Sequence, residues 1–168
     1  MAQSVISIRP ARPGDEVGIA GVHDAAWREA YMGVIPGRAL EQMIARRGPH
    51  WWRLAIARRT RLLVLEFGDA LVGYTSYGRN RAPSLNYDGE IFELYIAPEF
   101  QGCGFGRRMF EAAQNDLANH SFNSFVVWAL ADNERAFAFY QRLGGRVVRR
   151  APETFGGEKR ERVAFGFS

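Results

Sequence analysis

The segment at residues 98–110, PEFQGCGFGRRMF, places three glycines and two arginines at the start of an amphipathic helical pattern. The glycines are Gly102, Gly104 and Gly106, and Arg107 and Arg108 follow at once. A helix start offers backbone N–H groups without partners and the positive end of the helix dipole. Glycines let the backbone curl around a bulky anion, whereas two arginines in a first turn are unfavourable without one. The segment predicts a phosphate-binding turn; a merely flexible strand-to-helix turn is the alternative.

Two common nucleotide-binding motifs do not fit this spacing. A P-loop ends in Gly-Lys and Ser or Thr, and Arg107-Arg108 occupy the place of those residues. The dinucleotide fingerprint needs its third glycine where Arg107 stands, and it belongs directly after a first strand. The pattern that is present is Gln-x-x-Gly-x-Gly, formed by Gln101, Gly104 and Gly106.

Composition is that of an ordinary globular protein, and the length of 168 residues predicts a single domain over residues 1–168. The net charge of +4, with Lys159 as the one lysine, suits a small anionic cofactor as readily as nucleic acid. Because the basic residues are spread along the chain, we expect no nucleic-acid partner and interpret most arginines as solvated surface.

The remaining composition signals concern metals, redox state and location. One cysteine, Cys103, excludes an internal disulfide, and the three histidines have no cysteine or carboxylate at ligand spacing, so no metal site is expected. The first residues lack the apolar stretch of a signal peptide, and no apolar run approaches membrane-spanning length. These features predict a cytoplasmic protein without a membrane partner.

Hydrophobic periodicity predicts an α/β (α+β) fold with a mixed, mostly antiparallel central sheet of about seven strands, flanked by about four helices. The predicted strands are 4–9, 62–67, 70–78, 90–96, 125–130, 146–150 and 162–167. The predicted helices are 15–31, 39–47 with a continuation towards 57, 105–117 and a last one that begins after Asp132-Asn133 and ends at Gly144-Gly145. Residues 79–88 and 152–160 are predicted loops.

The glycine motif, following the strand that ends LYIAP, resembles that of the GCN5-related N-acetyltransferase (GNAT) family, in which this loop wraps the pyrophosphate of acetyl-coenzyme A. A second segment, ADNERAFAFYQRLGG at residues 131–145, is similar to the family's other cofactor-binding segment. The resemblance covers roughly residues 5–167 and is strongest over 90–145. It implies an acetyl-CoA-dependent transferase that moves the acetyl group directly to a primary amine of a small molecule or peptide.

The resemblance also implies where the cofactor lies. The strand 90–96 should splay from the strand 125–130, and the pantetheine arm should lie in the gap, with a backbone N–H near Leu94 as the oxyanion donor. Asn133 would bind the arm, and Tyr140 would protonate the departing thiolate; a plain core aromatic is the alternative for Tyr140. The implied cofactor-binding residues are Leu94, Tyr95, Ile96, Gln101, Gly102, Cys103, Gly104, Phe105, Gly106, Arg107, Asn133 and Tyr140.

Two carboxylates on the strand 90–96 are candidates for the general base. Glu90 and Glu93 have opposite parity, so a regular strand would direct them to opposite faces of the sheet. Glu90, eleven residues before Gln101, matches the base of histone-acetylating members of the family, and we assign it that role. Glu93 is the alternative general base, or it is a solvated or salt-bridged strand residue without a catalytic role. Cys103, in the glycine turn, is interpreted as a tolerated small residue.

The acceptor is not specified by the sequence. The resemblance places its site among the connection of the first two helices and the loops 79–88 and 152–160, where aromatic side chains either line it or belong to the core. These are Trp27, Tyr31, Trp51, Trp52, Tyr87 and Phe155. Two other function classes stay open: a non-catalytic acyl-CoA-binding protein of the same fold, and a nucleic-acid-binding module. A homodimer is a further possibility that the sequence leaves open.

Overall fold

The computed structural model describes residues 5–168, in which strands and helices follow the predicted order. The strands in this range are β1 (Ile6–Pro10), β2 (Leu62–Phe67), β3 (Ala70–Arg79), β4 (Gly89–Ile96), β5 (Phe125–Leu130), β6 (Arg146–Phe155) and β7 (Glu158–Phe167). The helices are α1 (Glu16–Tyr31), α2 (Gly37–Ala45), α3 (Pro49–Ala57), α4 (Phe105–Asn119) and α5 (Glu134–Arg142). Residue 4, the predicted start of the first strand, lies outside the described residues. None of the helices in residues 5–168 has the length and apolar content that a membrane span requires.

The region before β2 contains three helices, one more than the sequence indicated. The predicted helix 39–47 does not continue to residue 57, because the chain breaks between α2 and α3. Gly48 has an extended ψ of −179°, and Pro49 is the first residue of α3. Proline lacks an N–H donor and disfavours a helical conformation in the preceding residue, which accounts for the break.

The sheet has the order β1-β2-β3-β4-β5-β7-β6. All neighbouring strands are antiparallel except β4 and β5, which confirms the predicted mixed sheet. Helices α1 to α3 cover one face through residues such as Ile19 and Trp52, and α4 and α5 cover the other through residues such as Leu117 and Tyr140.

The parallel pairing of β4 with β5 is short. It includes Gly89 with Phe125, Glu90 with Val126 and Ile91 with Val127, and then it stops. Beyond that point β4 stays paired with β3 as far as Ile96, while β5 stays paired with β7 as far as Leu130. The two strands therefore separate inside a continuous sheet, as predicted, and leave a wedge-shaped opening.

The last two strands are longer than the sequence indicated. Strands β6 and β7 pair from Arg146 with Gly166 to Phe155 with Glu158, so most of the predicted loop 152–160 is a hairpin. Only Gly156 and Gly157 connect them, with φ angles of 56° and 85°. Two successive positive φ values are those of the type I′ hairpin turn, which glycines accommodate without a steric cost.

Candidate active site

A cleft of about 760 Å³ fills the opening between β4 and β5. Its walls come from the second half of β4, the N-terminal turn of α4, one face of α5 and the C-terminal half of α1. All the sequence-predicted cofactor residues line this cleft except Cys103 and Phe105. Cys103 is exposed in the turn, and Phe105 is buried in a core cluster with Met109.

The glycine turn leaves an open cradle before α4. Gly102 and Gly104 both have a φ of 80°, and no atom lies within 4 Å of a Cβ placed on either. Gly104 is the N-cap of α4, and its carbonyl accepts from the backbone N–H of Arg108, so the N–H groups of residues 105–107 have no helical partner. Gly106 serves a different purpose, since a Cβ there would lie 3.3 Å from the Phe139 ring.

Gln101 ties this turn to the cleft wall. Its Nε2 donates to the carbonyl of Ile96 at 3.0 Å, and its buried Oε1 has no partner within residues 5–168. A buried polar atom without a partner is costly, which indicates that a ligand or water completes its hydrogen bonding. The open N–H groups and the room at both glycines fit an anionic group, and Gln101 Oε1 can accept from a hydrogen-bond donor of the same ligand.

Leu94 directs its backbone into the opening. Thr75 Oγ1 donates to the carbonyl of Glu93 at 2.8 Å, so the backbone polar groups of Glu93 face β3. Neighbouring residues of a strand direct these groups to opposite edges. The N–H and C=O of Leu94 therefore face the side that β5 has left.

Asn133 and Tyr140 lie on the α5 side of the cleft. Asn133 is the N-cap of α5, with its Oδ1 accepting from the Ala136 N–H at 3.1 Å. Tyr140 is 6 % exposed, and its ring packs against Phe110 and Phe165 while it contributes to the cleft wall. Burial raises the pKa of Tyr140 well above its ordinary value, with the nearby Tyr31 adding to the rise. Its hydroxyl is therefore protonated at neutral pH.

The two candidate bases lie on the same face of the sheet, which corrects the expectation from parity. Glu93 pairs with Ser76 and Glu90 pairs with Gly78. The two glutamates are therefore three residues apart on β4, whereas their partners are only two residues apart on β3. Phe92 is the extra residue of this β-bulge. A bulge interrupts the alternation of side chains, and residues directly opposite each other share a face. Both glutamates therefore face the side covered by α1 to α3.

Only Glu93 of this pair lines the cleft. Its Oε1 accepts from Arg47 Nη1 at 2.9 Å, and its Oε2 accepts from the Tyr74 hydroxyl at 2.9 Å. Glu90 is 2 % exposed and accepts from the backbone N–H of Arg81 at 3.0 Å and from Arg81 Nη2 at 2.7 Å. Glu90 thus anchors the start of the loop 80–88, away from the cleft.

The aromatic residues proposed for an acceptor site have different environments. Trp52 is 1 % exposed and belongs to the core, whereas Trp51 is 39 % exposed. Trp27 is half-buried and stacks on His23 with ring centroids 5.0 Å apart. Burial lowers the pKa of His23 to about 4, so this ring is neutral at pH 7. Tyr31 alone of the predicted set contributes to the cleft wall.

The cleft also contains charged residues that sequence reasoning missed. Glu29 of α1 and Arg135 of α5 form an ion pair of 3.2 Å across the mouth of the cleft, and Arg142 lies further along α5. Arg135 and Arg142 are each two residues from Asn133 or Tyr140, a spacing that does not share a helix face, so helical spacing would not have indicated them. No sequence signal connects Glu29 to Arg135. Within residues 5–168 no three His, Cys, Asp or Glu side chains come together as a metal site would require.

The opening between two parallel strands, with a glycine turn at a helix N-terminus beside it, is the arrangement that the resemblance to acetyltransferases implied. The model of the acetyltransferase (GNAT) family matches residues 20–145 of this chain. The chain therefore belongs to the GNAT family.

Relatives and solved structures agree with this assignment. The chain is 27 % identical to an uncharacterized N-acetyltransferase of Bacillus subtilis, YuaI, over 97 % of this chain and 93 % of that protein. It is 28 % identical to a mycothiol acetyltransferase of Streptomyces scabiei, covering 86 % of this chain but only 48 % of that protein. The fold is similar to that of the PaiA N-acetyltransferase of Thermoplasma acidophilum in complex with coenzyme A, with a TM-score of 0.77, 19 % identity and coverage of 94 % and 98 %. A putative acetyltransferase of Salmonella typhimurium with its cofactor acetyl-CoA has a TM-score of 0.70, 18 % identity and coverage of 98 % and 94 %.

Proposed function

We propose that this protein transfers the acetyl group of acetyl-CoA directly to a primary amine. The observation that carries the proposal is the separation of β4 from β5 after Ile91 and Val127, which opens a cleft between the glycine turn and Tyr140. The family and the acetyl-CoA named in a similar structure support the same donor. The reaction needs a held donor, a neutral amine, a hydrogen-bond donor for developing negative charge and an acid for the thiolate.

The chain supplies binding groups for the donor in the proposed complex. The N–H groups of residues 105–107 and the charge of Arg107 would hold the pyrophosphate, and Asn133 together with the open edge of β4 would hold the pantetheine arm. When bound, acetyl-CoA supplies an activated thioester carbonyl. The N–H of Leu94 would donate to the carbonyl oxygen, which stabilises negative charge as it develops there.

Proton transfer is assigned to two residues on opposite sides of the opening. Glu93 would accept the proton that the attacking amine loses, since this residue lines the cleft and Arg47 and Tyr74 hold the orientation of its carboxylate. This proposal replaces Glu90, the base that the resemblance implied, because Glu90 contacts Arg81 instead of the cleft. Tyr140 would donate its proton to the thiolate as the carbon–sulfur bond breaks.

Thermal unfolding with acetyl-CoA tests donor binding. A ligand at about a hundred times its dissociation constant stabilises the fold by about 2.7 kcal/mol, which raises the Tm of a chain of this size by roughly 5–11 °C. NAD and ATP at the same concentration serve as controls. An unchanged Tm with acetyl-CoA, or an equal rise with NAD, would contradict the proposal.

Tyr140→Phe is expected to lower kcat by about 10² while the affinity for acetyl-CoA changes less than about threefold. The variant keeps the ring that packs against Phe110 and Phe165 and removes only the acid. Release of free thiol measures kcat, and calorimetric titration measures affinity. Equal turnover by the wild-type protein and Tyr140→Phe would show that Tyr140 is only a core aromatic. If the wild-type protein binds acetyl-CoA but turns over none of the amines, the result favours a non-catalytic acyl-CoA-binding protein.

A further inference from the structure

The surface made by the end of α2, its connection to α3 and α3 itself is strongly basic. Residues 42–65 include six arginines and no aspartate or glutamate. We define the arginine surface by six of the exposed residues, which are Arg46, Trp51, Arg53, Leu54, Arg58 and Arg59. Its four arginines form no ion pair with any part of the chain that the structure describes; the one ion pair of this segment belongs to the neighbouring Arg47.

Arg59 occupies a backbone conformation that normally selects glycine. Its φ is 56°, and it follows the C-cap of α3. The Thr60 N–H donates to the Ala55 carbonyl at 3.2 Å and the Arg59 N–H donates to the Ile56 carbonyl at 3.0 Å, which is the Schellman pattern. The helix dipole favours a cation near this end, but it does not favour a residue with a Cβ at the left-handed position. Arg59 therefore places a positive charge at this helix end although its backbone conformation is strained for any residue other than glycine.

Two apolar side chains lie among these arginines. Trp51 is 39 % exposed and Leu54 is 40 % exposed. Together with Arg58 they have the i, i+3, i+7 spacing of one helix face, which extends about 10.5 Å along α3. Tryptophan and arginine are the residue types most enriched among residues that dominate the energy of protein–protein contacts.

Arg47 connects the arginine surface to Glu93, a residue that lines the cleft. The guanidinium of Arg47 lies 3.9 Å from the centre of the Trp51 ring and also donates to Glu93. A chain bound along α3 would therefore have one end beside the carboxylate to which we assign the role of base.

We propose that the arginine surface binds an acidic polypeptide segment with an apolar residue, and that this segment carries the acceptor amine. The inference rests on the proposed acetyl transfer, which requires an aliphatic amine; the amines of nucleic-acid bases are delocalised and poorly nucleophilic, so a polypeptide fits both the surface and the chemistry. An extended chain covers the length from Trp51 to Arg58 in about three residues. The acidic side chains would follow the amine after a short spacer and lie against Arg53, Arg58 and Arg59.

Binding is tested first with a peptide that cannot react. A fluorescent, capped, lysine-free peptide with glutamates around one leucine is titrated by anisotropy, beside the same peptide with glutamines. We expect the acidic peptide to bind at least about tenfold tighter at low ionic strength, and to lose this advantage at about 0.5 M salt. Equal affinity of the two peptides overturns the proposal. If an RNA oligomer or phosphatidylserine vesicles bind more tightly than the acidic peptide, and Arg53→Glu weakens that binding, the choice of a polypeptide as the partner is overturned.

Variants separate binding from stability. Arg53→Glu is expected to weaken binding of the acidic peptide about fivefold or more, and Arg146→Glu, an exposed arginine on β6 at the far edge of the sheet, should leave it unchanged. Arg59→Gly should weaken binding about twofold and raise the Tm by about 2 °C, because it removes both charge and strain. Equal loss in Arg53→Glu and Arg146→Glu would indicate a general charge effect and overturn the assigned surface.

Reaction then tests the acceptor class. Two peptides with the same free N-terminal amine, one followed by glutamates and one by glutamines, are compared by kcat/KM, and we expect the acidic peptide to be preferred at least tenfold. If acetyl-CoA raises the Tm but both peptides react equally, the inference fails and the proposed function stands. If acetyl-CoA causes no shift, the proposed function fails, and the capped peptide still decides whether the surface binds acidic chains.

Discussion

Gly104→Asp is expected to weaken acetyl-CoA binding about 100-fold, equivalent to about 2.7 kcal/mol. Gly104 is the N-cap of α4, and a Cβ placed there would have no atom within 4 Å apart from its chain neighbours. The new carboxylate would accept from the N–H groups that we assign to the pyrophosphate and would repel its charge. The φ of 80° at Gly104 adds a backbone strain that the fold also bears, and calorimetric titration with acetyl-CoA measures the loss of affinity.

Two controls separate charge from backbone strain. Gly104→Ala adds a Cβ at the same φ of 80° without a charge, and should weaken binding much less. Gly14→Asp places the same side chain at a positive φ of 105° in another open position, outside the cleft residues, and should leave affinity unchanged. Wild-type affinity in Gly104→Asp would remove the glycine turn from the binding site.

Glu93→Gln is expected to lower kcat by about 10²–10³, the range in which a general base contributes. The amide keeps the shape of the side chain and can still contact Tyr74, but it cannot accept a proton from the amine. Thiol release is measured across pH with the first amine that gives turnover, and part of the activity should return at high pH, where more of the amine is already neutral.

Glu90→Gln is the matched variant on the same strand. It weakens the contacts to Arg81 and is expected to lower the free energy of unfolding by about 1–3 kcal/mol, with kcat changed less than about threefold. The pair of variants thus distinguishes an effect on chemistry from an effect on the loop 80–88. Turnover that is abolished by Glu90→Gln and preserved in Glu93→Gln would show that the base implied by the resemblance is correct.

The proposed base and the proposed acid, Glu93 and Tyr140, lie on different faces of the sheet. Arg47 and Tyr74 hold the Glu93 carboxylate on the face of the sheet that α1 to α3 cover. Tyr140 approaches from α5 on the opposite face. The acid and the base that we propose therefore lie on opposite faces of one opening, which suits a reaction in which the amine and the leaving thiolate lie on opposite sides of a carbonyl carbon.

Much of the framework was determined by local sequence. Gly102 and Gly104 have the positive φ that their type permits, and Asn133 caps α5 as its side chain favours. The strands and the helices α1, α4 and α5 were predicted from periodicity, because one face of each must be apolar to pack on the sheet. The family resemblance gave the separation of β4 from β5, which no local pattern reveals.

Only the tertiary structure decided on which face of the sheet the two candidate carboxylates lie. Parity placed Glu90 and Glu93 on opposite faces, but the bulge at Phe92 adds one residue and returns them to the same face. A bulge depends on pairing with β3, so it leaves no mark in the pattern of β4. Likewise, Arg47 contacts Glu93 across 46 positions of the chain, and Arg135 contacts Glu29 across 106. Local propensity acts over a few residues, whereas such contacts form only when the whole sheet has brought distant segments together.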